Sequence, residues 1–229
     1  MYETDPNASP FNQLPWIVWA LVLPMIAAEI VLGLAQAELI GGPTAIGWRG
    51  HAIMNYAVAP NVVDYLWINR VWDELALRFV AFPFIHHTTT SALFGVVLTL
   101  ALGKMVGEVF RWWAVLVVFF GASWLGALAF LQLVPYENYP LIGAYTGVYG
   151  LIGAFTFLLW VQLIGTGSNG YRAFTLIGML LFVQLVFGVL FGGGYEWIAE
   201  VAGFATGFGL SFIASPGGWG RVMARLRNR

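Results

Sequence analysis

The chain has 229 residues, 60% of them hydrophobic and 9% charged, with a mean hydropathy of +0.80. Soluble domains carry roughly a quarter of charged residues, so this composition excludes an ordinary water-soluble globule and makes the bilayer the solvent. A formal net charge of -1, with no block of like charge before the C-terminus, gives no footprint for a nucleic-acid partner, and the absence of cysteine excludes disulfides, thiol catalysis and cysteine-rich metal sites.

A membrane helix consumes roughly 20 residues, which leaves room for one helical domain and short connections. Residues 1–13 carry Glu3 and Asp5 instead of the basic stretch that precedes a cleaved signal core, so the first apolar segment is expected to be retained. Charge-free runs then extend over Pro6 to Ala28, Phe79 to Gly103, Trp112 to Tyr136, Asn138 to Tyr171, Ala173 to Tyr195 and Val201 to Gly220. They predict an all-α bundle of six transmembrane helices within residues 14–215, the first continuing past Glu29 toward Gln36 and the second starting after Pro83.

The connection over about 41–82 has a different texture. Trp48, Tyr56, Tyr65, Trp67 and Trp72 are interspersed with Arg49, Asp64, Arg70, Asp73, Glu74 and Arg78, a mixture at home among lipid headgroups. One or two short helices lying on the membrane are expected there, a plain solvated loop being the alternative. With six spans both termini share a side, and that side collects Lys104, Arg111, Arg172 and the basic tail 216–229. Both ends are therefore expected in the cytoplasm, with the bacterial inner membrane as the host.

Small residues recur at spacings of three and four in the run from Gly143 to Ala154. Gly143, Gly147, Gly150 and Ala154 share one helical face, Gly153 lies beside it, and Gly203 and Gly207 form a GxxxG pair in the last segment. Such spacing predicts close backbone packing. Over most of the chain the pattern resembles the rhomboid intramembrane proteases. In that family the fourth helix opens with Gly-Ala-Ser-Gly and runs into a Gly-Leu-Leu-Gly-Ala type stretch, here Gly150 to Ala154. The sixth carries a His before its glycines, here Glu200-Val201-Ala202-Gly203. The second has a His, another His five residues on and an Asn four beyond, and these places read His86, Ser91 and Gly95. A Trp-Arg pair of the first connection becomes Leu77-Arg78.

The resemblance therefore covers the scaffold and departs at the chemistry. Tyr145 stands for the nucleophilic Ser and Glu200 for its general-base His, while Thr146 replaces the glycine beside the nucleophile. Ser91 and Gly95 replace the oxyanion-binding His and Asn; only His86 and Arg78 persist. Hydrolysis by this route needs a hydroxyl nucleophile, a base of near-neutral pKa and oxyanion donors. A phenol holding its proton to about pH 10 and a carboxylate of ordinary pKa near 4 are poor substitutes. Tyr145 and Glu200 are expected to face each other and share a hydrogen bond, because buried polar groups need partners in lipid. The alternative for Glu200 is a place at the aqueous end of its helix.

The leading reading is a pseudoprotease contacting membrane lipids and transmembrane segments of other proteins. The resemblance implies a side opening between the second and fifth helices, loosened by Gly178, Gly188 and Gly192 to Gly194, and inactive relatives act as chaperone-like or quality-control factors. A second reading is an active serine endopeptidase using Ser91, Ser123 or Thr146, and a third is a transporter or channel subunit prompted by Glu29 and Glu200. Glu29, well inside the first span, marks either a polar pathway or a hydrogen-bonded packing contact. No cofactor is expected, and no metal: His86 and His87 point about 100 degrees apart on a helix, with no third ligand at useful spacing.

Overall fold

The computed structural model describes residues 13–134, 139–191 and 194–215. The basic tail and the segment before residue 13 fall outside them. Nine α-helices occur among the described residues: α1 (Trp16–Gln36), α2 (Trp48–Tyr56), α3 (Pro60–Ile68), α4 (Trp72–Ala81), α5 (Thr89–Gly107), α6 (Trp112–Leu133), α7 (Tyr145–Gly165), α8 (Thr175–Phe191) and α9 (Glu196–Ala214). Short 3-10 turns lie at Pro43–Gly47, Phe82–Phe84 and Gly170–Phe174.

Five of these helices, α1, α5, α6, α7 and α9, are long and apolar enough to cross a membrane. The predicted first span ends at Gln36 as expected, with Glu29 inside it. The fifth predicted span forms α8, whose 17 residues rise only about 25 Å, short of the roughly 30 Å hydrocarbon layer. The second begins later than expected, at Thr89. Pro83 sits in a 3-10 turn of its own, and the helix starts where Thr88 Oγ1 accepts from the Ser91 N–H while Ser91 Oγ accepts from the Thr88 N–H. That reciprocal capping box satisfies two amides at the helix start.

Helix α7 is the centre of the bundle. It is enclosed by α6, α9 and α5, and α1 lies outside against α5. Close approach is what the glycines provide. A Cβ on Gly203 would stand 2.5 Å from the Thr146 carbonyl oxygen, one on Gly153 2.3 Å from the Phe204 oxygen, and one on Gly150 2.2 Å from the Ala122 Cβ. Gly147, like Gly150, faces α6, against Phe119 and Ser123. The helix interfaces thus gain dispersion contacts that larger side chains would abolish. Gly143 does not belong to this face: α7 begins two residues later, and Gly143 occupies the turn before it at φ +103°, a conformation that favours glycine.

Residues 41–82 hold one 3-10 turn and three helices, α2 to α4, with a share of the 3-10 turn at Phe82–Phe84. Arg78, 4% exposed, organises them. Its Nη1 donates to the carbonyls of Met54 and Ala57, each at 2.9 Å, and its Nη2 to Glu74 at 2.8 Å. An antiparallel bridge between Val58 and Leu141 ties this region to the approach to α7.

Candidate functional site

The residues singled out in the sequence gather at the end of the bundle where α5, α7 and α9 begin. Tyr145 is the first residue of α7, and its hydroxyl donates to the Ser91 carbonyl on α5 at 3.1 Å. The expected hydrogen bond to Glu200 is therefore not made. At the helix start the ring turns toward the facing end of α5, where an accessible carbonyl takes its proton. The residue of α7 that lies beside Glu200 is Tyr149, one turn further on, with its hydroxyl close to the carboxyl. Glu200 is 7% exposed, so the reading at an aqueous helix end fails. Its other partner is Gln184 of α8, whose Nε2 donates to the carboxylate.

His86 lies in the turn before α5 and is 2% exposed. The Ala144 N–H, at the start of α7, donates to its Nε2 at 3.2 Å, which leaves the ring proton on Nδ1. Burial first, then the charges of Arg49 and His87, push its pKa down to about 4 against an opposing pull from Glu29, so the ring is neutral. Gly95 gives this ring its space: a Cβ there would stand 2.7 Å from Nε2. Position 95 therefore supports His86 sterically and offers no side-chain donor. Gly143 completes the turn by donating its N–H to the Phe82 carbonyl at 2.8 Å.

Among the described residues, none of the three hydroxyls considered as a nucleophile is hydrogen-bonded to a histidine or carboxylate. Ser91 Oγ caps α5, also donating to the Thr88 carbonyl, and Ser123 Oγ donates to the Phe119 carbonyl at 2.8 Å. Thr146 is 1% exposed, with its methyl group packed toward Gly126 and Gly203. Among the described residues no three His, Asp or Glu side chains come together in a way that would hold a metal ion.

Glu29 belongs to a separate cluster. Arg49, at the start of α2, forms a two-pronged pair with it, Nη2 to Oε1 at 2.7 Å and Nη1 to Oε2 at 3.0 Å. Thr89 Oγ1 donates to Glu29 at 2.7 Å, and Arg49 Nη1 also donates to the His86 carbonyl at 3.0 Å. Of the two readings left open for Glu29, the packing contact is the one present: it fastens α1 to α2 and the start of α5. Below Glu200, Tyr139 donates to Glu196 at 2.9 Å, and burial together with that carboxylate pushes its pKa up to about 12.

Sequence reasoning did not single out Tyr149, Gln184 or Arg49. Gln184 had a signal, being the one amide in the apolar run from Ala173 to Tyr195, where a polar residue is costly without a partner. Arg49 had none, since it was one of several charges among the loop aromatics.

No curated protein matches the chain. A family model described as Rhomboid domain matches residues 73–217, from α4 through the end of α9 and well over half of the sequence. With glycine-packed α7 and α9 meeting at positions 145 to 207 inside that stretch, the chain belongs to the rhomboid family.

Proposed function

We propose that the protein is a non-hydrolytic rhomboid that binds transmembrane segments of other membrane proteins. The observation that carries this reading is the occupancy of the two decisive positions. The Tyr145 hydroxyl is committed to the Ser91 carbonyl, and Glu200 is hydrogen-bonded to Gln184 with Tyr149 beside it. Neither side chain is arranged to attack a carbonyl or relay its proton. The loss of side-chain donors at Ser91, used as a cap, and at Gly95, used as space for His86, supports the same conclusion.

On this reading α8 is the sixth span, and the short connections containing Lys104, Arg111 and Arg172 face the cytoplasm of a bacterial inner membrane. The helices of residues 41–82 lie at the opposite headgroup layer. Supporting this, Tyr65, Trp67, Ile68 and Trp72 are all at least half exposed on α3 and α4. Clients would approach between α5 and α8, where Gly178 has open space beside it and Val183 is exposed. Gly192 and Gly193 lie outside the described residues.

The test has two arms. Purified protein exposed to a fluorophosphonate probe should remain unlabelled, and a photo-crosslinker at Leu98 or Val183 should capture membrane-protein segments in cells. Labelling that vanishes on substituting Ser91, Ser123 or Thr146 would establish a serine- or threonine-type enzyme instead. Capture of lipid alone would remove the binding function.

A further inference from the structure

Three helices contribute polar side chains to one buried point: Tyr149 from α7, Gln184 from α8 and Glu200 from α9. The hydrogen bonds among them do not balance. Gln184 spends its Nε2 on Glu200, and its buried Oε1 has no donor among the described residues. Among the described residues the ion pairs are Arg49 with Glu29, Arg78 with Glu74 and Lys104 with Glu108, so Glu200 has no cationic partner. Glu196, one turn earlier on the same helix, accepts a hydrogen bond from the Tyr139 hydroxyl and has no cation beside it among the described residues. A buried amide oxygen and a carboxylate side by side form a site rich in acceptors and short of donors, an arrangement that is expensive away from water.

The site also has a route to lipid. Gln184 is only partly buried although its Oε1 is enclosed, and Met179, Phe182 and Val183 beside it on α8 are exposed. A long side chain from a neighbouring membrane helix therefore approaches along α8, its methylene stem on the apolar surface and its polar head inward. An ammonium group supplies three donors and a charge, enough to serve the Gln184 oxygen and the Glu200 carboxylate together.

Building on the client-binding reading above, we propose that Glu200 and Gln184 select transmembrane segments that carry a basic side chain. The chemistry recognised is an amine or guanidinium within the membrane, otherwise unpaired and costly in lipid. In exchange for leaving the bilayer, that group gains a counter-charge and the orphaned acceptor gains its donor.

The experiment uses the full chain in lipid nanodiscs and two synthetic leucine-rich membrane peptides that differ by one residue, Lys or Leu, placed at the depth of Glu200. Capture is read by photo-crosslinking from Val183. The lysine peptide should be captured about tenfold more than the leucine peptide. Glu200→Gln should erase the preference, and Gln184→Leu should reduce it. Equal capture of both peptides by the unmodified protein overturns this inference but leaves the client-binding reading standing, as does a preference that survives Glu200→Gln. Capture of neither peptide overturns both. The comparison of peptides on the unmodified protein decides the matter even if a variant fails to fold.

Discussion

Replacing Gly207 by Ala measures how much the bundle relies on contact between bare backbones. The added Cβ would stand 2.0 Å from the Gly150 carbonyl oxygen and 2.6 Å from that residue's carbonyl carbon and Cα, where ordinary contact begins near 3.4 Å. No side chain can swing away, because every obstructing atom is main chain. Helices α7 and α9 must therefore part by about 1 Å or more, and a gap of that size forfeits a quarter to a half of each dispersion contact along the seam. Overpacking ordinarily costs about 1–3 kcal/mol, and the backbone character of this clash places Gly207→Ala at or above the upper figure. Gly209 is the internal control, two residues away on the same helix with nothing within 4 Å of its would-be Cβ. Its change to Ala should stay within about 0.5 kcal/mol of the parent protein. Reversible unfolding in mixed micelles with increasing dodecyl sulfate, followed by circular dichroism, reads both. Equal stability of the two variants would refute the packing argument.

Stability should also depend on His86. Its pKa is about 4 in the folded chain against an ordinary 6.5, so the unfolded chain binds the proton first. The contribution is complete above pH 6.5, is lost as pH falls toward 4, and amounts to about 3 kcal/mol at the limit. Unfolding curves at several pH values should show this slope, and it should be missing in His86→Gln; an unchanged slope would contradict the buried neutral ring. Glu29→Ala strands the Arg49 guanidinium in a largely buried place and should cost about 3–5 kcal/mol. The double variant with Arg49→Ala should recover part of that loss in the same unfolding assay, and strict additivity would show the two residues do not act as a pair. Because the chain has no cysteine, Ile68→Cys offers a single labelling site. A nitroxide there should be more accessible to oxygen than to a water-soluble nickel complex, and the reverse would take α3 off the membrane.

Apolar spans announced themselves through gaps between charges, which is why five membrane helices and the end of the first one were legible. Helix starts were harder to read. Pro83 suits a first turn, yet the Thr88–Ser91 capping box lies downstream and supplies the better start, and a capping box without Glu or Gln is a weak pattern in sequence. Packing glycines at 150, 153, 203 and 207 were readable from spacing, because helical geometry alone places them. Gly143 was misread since the same spacing continues past the helix boundary. The pairing of Tyr145 with Glu200 failed for a three-dimensional reason: α5 presents the Ser91 carbonyl to the first residue of α7, and nothing in the linear order of residues reports that proximity. Glu29 was identifiable as unusual, but its partner Arg49 lies 20 residues away in the short helix α2, one charge among several in that connection.

The hydrogen bonds of Leu141, Gly143 and Ala144 have a mechanical consequence. These near-consecutive amides are anchored to Val58, Phe82 and His86, all in or just after the segment of residues 41–82. The helices of residues 41–82 and the head of the central helix are consequently coupled like the two ends of a lever arm. A displacement of α2 to α4 would be felt at the first turn of α7, next to Tyr145, through these three short links.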